Sequence, residues 1–471
     1  MLDTVMSFTK IVATIGPSSQ SKKQLEPLVR AGVSIARLNM SHGDHEYHGE
    51  TVKNVRVVEK LVQRPLAVLV DLAGPKIRIG DFETSEIELI PGKEFILSIE
   101  KVAGTEKKVY INYPAIVKEV KKGMVILLDD GKKALEVTKV TQKEVFTVVK
   151  TGGIIKPRRG VNIPGARLSI KTLTEKDEKD VAWAIENKAD FIALSFVRSV
   201  KDIEELRTLI VKKKGTQKII AKIETVEALE NIENIIQASD AVMVARGDLA
   251  IEVGPEKVPH EQKNMIELAR MHAKPIITAT QMLESMTTRP VPSRAEVSDV
   301  ANAVFDGTDA VMLSEETAMG QYPLETIEVM SRVLNEAEKD EYVRAVSVDH
   351  TTIQNAITSA VAQVALDTDA KAIIALTETG GTAKLVSRYR IGTPIVAVTP
   401  YIETARQLVL SFGVTPKMMT IAKDVEKSVK KVMQALLKDK QVQKGDKLVF
   451  SAGVPLGRVG STNTVMVRNV K

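Results

Sequence analysis

The stretch Asp240-Ala-Val-Met-Val-Ala-Arg-Gly-Asp-Leu-Ala-Ile-Glu-Val253 indicates the architecture of the chain, because an apolar run ends there in a polar turn. Residues 242–245 predict a strand buried on both faces, and Arg246-Gly247-Asp248 ends that strand. Gly247 lets the backbone approach a ligand closely. We therefore expect the amides of residues 245–248 to open a short helix that receives an anion.

A second apolar run, residues 219–224, lies one unit earlier and also ends in charge. Lys222 and Glu224 are two residues apart, so they point to the same face of a strand. If the two strands are neighbours in a parallel sheet, Glu224 and Asp248 converge beside Lys222. Two carboxylates beside a lysine predict a divalent-metal site that faces phosphate. The alternative is that each charge merely caps the end of its strand.

Strand, turn and helix alternate along most of the chain, which predicts a parallel (β/α)8 barrel within an α/β fold. The first helix should be capped by Ser18 or Ser19, and one helix should span 226–237. Polar side chains cluster where the strands end, which is where such barrels hold their sites. An open doubly wound sheet is the structural alternative. The eight predicted strands are 10–15, 33–41, 66–72, 191–197, 218–224, 241–246, 275–280 and 310–314.

Two other regions depart from this rhythm. Residues 75–160 show short alternating segments, with Pro91-Gly92 and Asp130-Gly131 as turn signals, and predict a small β-barrel inserted in the catalytic barrel (1–74 plus 161–340) as a lid. Residues 341–471 predict a C-terminal α/β domain. In it the stretch 377–382 suits either a phosphate cradle or a plain helix-capping turn, and 451–461 suits a mobile loop that closes on a ligand.

Composition narrows the class of protein. With 471 residues, 44% hydrophobic and 27% charged, the chain has material for two to four globular domains. The net charge of +6 suits small anions, whereas an aromatic content of 4% argues against nucleic-acid binding. The absence of cysteine excludes disulfides and thiolate chemistry and fits a reducing, cytoplasmic location. No apolar run is long enough for a membrane span, and no signal peptide is expected.

Six motifs occur in the order that one known family requires: Arg37-Leu-Asn-Met-Ser-His42, Asp71-Leu-Ala-Gly-Pro75, Lys222-Ile-Glu224, Ala245-Arg-Gly-Asp248, Thr278-Ala-Thr-Gln-Met-Leu-Glu284 and Leu313-Ser-Glu-Glu-Thr317. With these motifs the sequence resembles pyruvate kinase nearly from end to end. The resemblance implies phosphoryl transfer from phosphoenolpyruvate to ADP, followed by protonation of enolpyruvate to pyruvate. Positioning and charge neutralisation carry a transfer of this kind.

The resemblance also implies roles for individual residues. Arg37 would hold the phosphoryl group, Lys222 would neutralise its charge, and Glu224 and Asp248 would hold Mg²⁺ or Mn²⁺. The substrate carboxylate would lie on the backbone amides of four residues and on one hydroxyl, which belong to Ala245, Arg246, Gly247, Asp248 and Thr280. Candidates for the proton donor to the enolate are Thr280, Ser314 and Glu316. The nucleotide would lie between the barrel and the lid, near Pro17, His42, Arg78 and Arg159, with Asp130 on the lid side. The alternative for His42 is an ordinary loop histidine.

One position departs from the family pattern. Many members bind potassium through residues that match Asn39, Ser41 and Asp71, together with a glutamate where this chain has Lys76. A fixed ammonium supplies the charge that the ion would bring, and two cations in one cavity repel. We therefore expect activity that does not require K⁺, and Leu72-Ala73, where potassium-using members tend to have Thr-Lys, points the same way. The alternative is that Lys76 extends into solvent.

The remaining expectations concern partners and alternatives. The family implies a homotetramer, and a phosphorylated effector is possible near Thr377, Thr379, Gly380, Gly381 and Thr382. A barrel lyase or aldolase acting on a pyruvate enolate would share the metal carboxylates and the Arg-Gly-Asp turn, but it would not need the lid or the arginines on the nucleotide side. A non-catalytic phosphometabolite sensor would be expected to have lost part of the catalytic set.

Overall fold

The computed structural model describes residues 7–339, 348, 351–422, 424–456 and 460–471. Eight parallel strands close into a barrel, in which each strand pairs with its neighbours in sequence and the first pairs with the last. The predicted (β/α)8 barrel is therefore confirmed, and the open doubly wound sheet is excluded. Its strands are Lys10–Thr14, Val33–Asn39, Ala67–Asp71, Phe191–Leu194, Lys218–Ile223, Ala241–Ala245, Ile276–Ala279 and Ala310–Leu313.

The helices of the barrel follow the predicted order with two local differences. The first helix is capped by Ser21 and not by Ser18 or Ser19, because Ser21 and Gln24 form a reciprocal capping box. The helix predicted over 226–237 is broken at Asn231, whose side-chain amide donates to Glu227 O at 2.9 Å and so competes with the helical pattern. The α-helices are Lys22–Ala31, His45–Val62, Glu175–Glu186, Val200–Lys212, Val226–Glu230, Ile232–Ala238, Arg246–Val253, Val258–Met271, Arg294–Asp306, Glu315–Ala318 and Pro323–Ala337, and a 3-10 helix spans Glu284–Thr287.

Alternating side chains of the barrel strands divide into two layers. One layer, which includes Val12, Leu69 and Met243, fills the interior of the barrel, and the other packs against the helices. Val409 and Leu410 of the C-terminal domain join the interior layer. Because the interior is filled, the barrel has no central pore, and ligands of such barrels lie beyond the carboxyl ends of the strands.

The inserted domain consists of a six-stranded sheet and a two-stranded sheet. Single bridges from Arg78 to Gly160 and from Ile79 to Ile111 connect the two edges of the larger sheet. The predicted small barrel is thus closed through isolated bridges and not by a continuous ladder. Its elements are the strands Ile87–Leu89, Glu94–Ser98, Lys108–Tyr110, Val125–Leu128, Lys133–Val140, Glu144–Thr151, Gly153–Ile155 and Val161–Asn162, and the short helix Ile116–Glu119.

The predicted domain limits remain predictions. At the second limit, Val161 and Asn162 pair with Leu128 and Leu127 of the insertion, and Ile163 belongs to its apolar core. Packing of the insertion therefore continues past residue 160. The predicted limit at 340/341 and residues 457–459 of the predicted closing loop lie outside the described residues.

The C-terminal domain is a five-stranded sheet with helices, as predicted. Four strands are parallel and the last is antiparallel. The strand Val414–Met418 was not predicted; it contains Pro416 and lies at the edge of the sheet, where proline is tolerated. The other strands are Ile395–Thr399, Ala372–Leu376, Lys447–Gly453 and Thr462–Asn469, and the helices are Ile353–Asp367, Gly381–Ser387, Ile402–Leu408 and Val425–Lys438.

Candidate active site

The carboxyl ends of the barrel strands bring four predicted charged residues into contact. Lys222 Nζ lies 3.2 Å from Asp71 Oδ1 and 3.0 Å from Glu224 Oε1. Arg37 Nε donates to Asp71 Oδ2 at 2.7 Å, and Arg37 Nη1 donates to Thr14 Oγ1 at 2.7 Å. Asp71 therefore joins the two cations that were predicted to bind the phosphoryl group.

Burial and charge set the ionisation of this cluster. Burial alone would lower the pKa of Lys222, but the carboxylates of Asp71 and Glu224 reverse the effect and raise it. Burial opposes ionisation of Asp71, yet Lys222 and Arg37 bring the pKa of Asp71 below its usual value. Lys222 and Asp71 are therefore charged at neutral pH. The cations of Lys222 and Arg37 lie together at the carboxyl ends of the barrel strands.

Glu224, which is buried, and Asp248, which is half-buried, are two carboxylates suited to a divalent cation. Burial raises the pKa of each, and the negative charge of Asp248 raises that of Glu224 further. A divalent cation between them would offset this repulsion. No group of three or more potential protein ligands forms a metal cage among the residues described. Two carboxylates without a cage suit Mg²⁺, which keeps positions for water and substrate oxygens.

The Arg-Gly-Asp turn opens the helix Arg246–Val253, as predicted. Gly247 N donates to Thr280 Oγ1 at 3.0 Å, and a Cβ added at Gly247 would meet only the Thr280 side chain, at 3.7 Å or more. The space in front of this turn is therefore open to a ligand. The Arg246 guanidinium is committed elsewhere, because it donates to Thr280 O at 2.6 Å and to Asp299 Oδ1 at 2.8 Å. Arg246 thus has only its backbone amide to offer a ligand.

Strained backbone occurs at two strand ends that face this site. Thr280 has φ = 70° and Phe196 has φ = 54°, values that are rare for residues other than glycine. Such strain costs on the order of 1–3 kcal/mol for each residue and is found mainly at functional sites. At Phe196 it accompanies a hydrogen bond of 2.6 Å from the backbone N to Glu224 Oε2.

The three candidate proton donors differ in their surroundings. Glu316 accepts hydrogen bonds from Ser314 N at 2.6 Å and Leu283 N at 3.2 Å, and burial raises its pKa. Thr280 Oγ1 donates to Ala279 O at 2.6 Å. The choice among Thr280, Ser314 and Glu316 therefore stays open.

Among the residues of the predicted former potassium site, Ser41 contacts the Lys76 ammonium. Lys76 Nζ donates to Ser41 Oγ at 2.9 Å, and Asn39 Oδ1 accepts from Ser41 N at 3.1 Å. Burial, followed by the nearby charges of Arg78 and Lys222, lowers the pKa of Lys76. Lys76 is exposed to solvent, but its ammonium donates to Ser41 Oγ.

A cleft of about 560 Å³ lies between the barrel and the insertion. Of the predicted nucleotide residues, His42, Arg78 and Arg159 line it, whereas Pro17 is not among the described residues of its wall. Asp130 lines the same cleft from the insertion. Arg78 Nη1 donates to Arg158 O at 2.7 Å, and Arg159 Nε lies 3.4 Å from Asp129 Oδ1.

The effector candidates line a separate cavity of about 150 Å³ in the C-terminal domain. Thr377, Thr379, Gly381 and Thr382 form part of its wall. Thr377 Oγ1 accepts from Gly380 N at 2.9 Å, which is the capping-turn interaction that was considered as the alternative. Leu456, Gly460 and Ser461, from the predicted closing loop, also line the cavity.

Ser195 was missed by the sequence analysis. Lys222 Nζ donates to its hydroxyl at 2.6 Å, and that hydroxyl donates to Leu72 O at 2.7 Å. A Cβ on the linker residue Gly74 would come within 2.9 Å of Ser195 Cβ. The available signal was weak, because a single hydroxyl near the end of an apolar run has no distinctive spacing.

Comparisons with known proteins agree with this geometry. The family model "Pyruvate kinase, barrel domain" matches residues 6–327, and "Pyruvate kinase, alpha/beta domain" matches residues 355–468. Pyruvate kinase of Geobacillus stearothermophilus is 44% identical over 467 residues, which cover 98% of this chain and 80% of the relative. Pyruvate kinase of Staphylococcus aureus strain MRSA252 is 42% identical over 472 residues, which cover 99% and 81%.

A solved structure gives the same result. The crystal structure of a pyruvate kinase from Cryptosporidium parvum superposes with a TM-score of 0.93 at 34% identity and covers 100% of this chain and 97% of its own. Within the described ranges, no helix is long and apolar enough to span a membrane. The chain therefore belongs to the pyruvate kinase family, and it transfers the phosphoryl group of phosphoenolpyruvate to ADP, giving pyruvate and ATP.

Proposed function

We propose that the charged residues at the carboxyl ends of the barrel strands, Arg37, Asp71, Lys222 and Glu224, carry out this transfer. The observation that carries the proposal is the Lys222 ammonium, held between Asp71, Glu224 and Ser195. An ammonium fixed in three directions is already oriented for charge that develops in the transition state. Arg37, fixed by Asp71 and Thr14, holds the phosphoryl oxygens from the side.

The substrate carboxylate lies on the open backbone of the Arg-Gly-Asp turn and on the Thr280 hydroxyl. This places the phosphoryl oxygens toward Arg37 and Lys222. As the bond to phosphorus breaks, negative charge grows on the enolate oxygen, and Lys222 stabilises it. A Mg²⁺ or Mn²⁺ ion held by Glu224 and Asp248 would supply further positive charge to these oxygens. The enolate carbon then takes a proton from the group around Thr280, Ser314 and Glu316.

ADP enters the cleft between the barrel and the insertion. Arg78 and Arg159 lie on its wall and neutralise the phosphates, while the insertion covers the nucleotide. The walls of this cleft come from two domains, so a movement of the insertion changes its width. Closure would exclude water from the phosphoryl group, which is the role of lids in many transferases.

We also propose that the enzyme works without bound potassium. The Lys76 ammonium, 2.9 Å from Ser41 Oγ, contributes the positive charge that the ion supplies in other members. The rate in tetramethylammonium salts, with and without added potassium, tests this proposal.

Two further proposals concern assembly and control. The cavity at Thr377, Thr379 and Thr382 would take a phosphorylated effector, because its wall combines hydroxyls with a turn that follows a strand. The chain would assemble as a homotetramer, as the family implies. Activation by candidate sugar phosphates and AMP, and the mass measured by light scattering, test these two proposals.

The residue roles are tested by pyruvate formation from phosphoenolpyruvate, ADP and Mg²⁺ in Lys222→Met. We expect kcat to fall by about 10³-fold or more, because a preorganised charge at the transition state is lost. The matched control is Lys218→Met, which removes a charge from the start of the same strand, away from the site. Retention of more than a tenth of the wild-type kcat by Lys222→Met would refute the assigned role.

A further inference from the structure

A small cavity lies between the barrel and the C-terminal domain, at the end of the barrel opposite the active site. Its wall comes from the end of the helix Val258–Met271, from the loop before the strand Ile276–Ala279, and from the helix Gly381–Ser387 with the residues that follow it. The volume of the cavity is about 10 Å³. This is room for one water or one small monatomic anion.

Two buried hydrogen-bond donors of this cavity lack an acceptor. Arg388 Nε and Ser411 Oγ have no hydrogen-bond partner in the described part of the chain. The half-buried Lys384 also lines the cavity, and within the same ranges no hydrogen bond or ion pair engages its ammonium. Leaving a buried donor unpaired is costly, so two on one cavity call for a shared partner.

The charge of the wall is strongly positive. Lys274 and Arg388 donate to neutral acceptors, such as Ser239 O at 2.6 Å and Asn355 Oδ1 at 2.9 Å. Asp309 is the one carboxylate among the described lining residues, and it is already bound by Arg390 Nη2 at 2.7 Å and by Phe412 N at 2.9 Å. The wall therefore carries cations that no carboxylate of the cavity neutralises.

A water molecule satisfies this site poorly. A water can accept from Arg388 Nε and Ser411 Oγ, but it leaves the positive charge of the wall without a counter-charge. A monatomic anion accepts from both donors and offsets that charge. We propose that the cavity binds one chloride-sized anion, which bridges the barrel and the C-terminal domain through Lys384, Arg388 and Ser411.

Burial leaves the Lys384 ammonium short of compensating negative charge. Burial lowers its pKa to about 8, and the charges of Lys218 and Lys274 oppose the effect of Asp240. An anion at the cavity would stabilise the charged form of this ammonium. The site is also separate from the effector cavity, although the helix Gly381–Ser387 contributes residues to both.

Crystals soaked in bromide, with anomalous diffraction, test the proposal directly on the wild-type enzyme. We expect one anomalous peak in the cavity, within hydrogen-bonding distance of Arg388 Nε and Ser411 Oγ. A cavity that contains water and no bromide overturns the proposal. This measurement does not depend on whether any variant folds.

Thermal unfolding gives the second test, in chloride and in methanesulfonate at equal ionic strength, because methanesulfonate is too large for the cavity. We expect a saturable rise in Tm of about 2 °C at a tenfold excess of chloride over its Kd. The rise should be lost in Lys384→Met and Ser411→Ala but kept in Lys430→Met, which alters an exposed lysine on another helix. An equal rise in Lys384→Met and Lys430→Met overturns the proposal.

Discussion

Replacing Lys76 by glutamate should convert the enzyme into a potassium-dependent one. The ammonium of Lys76 contacts the hydroxyl of Ser41 at 2.9 Å, and Asp71 attracts it from further away. Lys76→Glu removes this cation and adds a carboxylate of the kind that potassium-using members have at this position. The site would then be short of positive charge until a monovalent cation binds.

The structure sets the size of the effect. An ion bound to Ser41 Oγ would lie about 5 Å from the Lys76 nitrogen, so the two charges would repel by about 3 kcal/mol at an effective dielectric of ~20 and by about 1 kcal/mol in bulk water. Because Lys76 is exposed to solvent, the effect lies between these limits and nearer the value for bulk water. Removing the ammonium should therefore tighten potassium binding by roughly 5-fold to 150-fold.

The assay is pyruvate formation in tetramethylammonium chloride, with potassium added in steps. The wild type should be fully active without potassium and should change by less than about twofold when potassium is added. Lys76→Glu should lose about 10²-fold in kcat without potassium and regain most of it with potassium. The matched variant Lys76→Met removes the charge without adding a ligand, so it should stay slow in both salts. Wild-type activity that requires potassium, or Lys76→Glu activity that ignores it, would refute the reasoning.

Three other predictions follow from single contacts. Ser195→Ala should lower kcat by about tenfold with little change in the KM for phosphoenolpyruvate, because Lys222 loses a fixed acceptor. A tenfold fall in kcat/KM that comes only from a higher KM would contradict this positioning role. Burial raises the pKa of Glu252 to about 7 from its usual 4.5, so the folded state binds this proton more tightly and stability falls as pH rises from about 4.5 to 7. Urea unfolding at pH 5 and pH 7.5 should show that Glu252→Gln removes up to about 3 kcal/mol of this fall, whereas parallel pH profiles would argue against it. Arg406→Ala should cost about 3 kcal/mol of unfolding free energy in guanidinium, because buried Glu59 loses a bidentate partner; Arg406→Lys, which keeps the charge, should lose less.

The barrel was predictable because its physical requirements are local. Each strand is a short apolar run that ends in polar residues, and the repeat of strand and helix leaves few topologies. Two departures have different causes. Asn231 breaks a helix that its apolar spacing favours, through a local hydrogen bond from its side chain to Glu227 O. Pro416 is accommodated because its strand lies at the edge of a sheet, which the local sequence does not reveal.

The site was predictable in its residues but less so in its contacts. Parallel strands bring their carboxyl ends together, so Lys222 and Glu224 were expected to meet Asp248 at one edge of the barrel. The direction of a long side chain is a different matter. The Arg246 guanidinium turns toward Asp299, and the Lys76 ammonium turns toward Ser41, because of partners that are distant in sequence. Spacing alone carries no information about such partners.

The third barrel strand connects the active site to the C-terminal domain. The carboxyl end of this strand carries Asp71. At its amino end, Leu66 N donates to Glu59 Oε1 at 3.0 Å. The same Glu59 oxygen accepts from Arg406 Nε at 2.8 Å, and Thr404, on the helix of Arg406, donates to Glu378 O in the effector cavity at 2.9 Å. Because the strand is fully buried and close-packed, it has no room to absorb a shift of that helix. Asp71 and the cavity lined by Thr377 are thus linked by a continuous series of contacts through the helix Ile402–Leu408, Glu59 and the strand Ala67–Asp71. Arg406→Ala breaks this connection without touching either site.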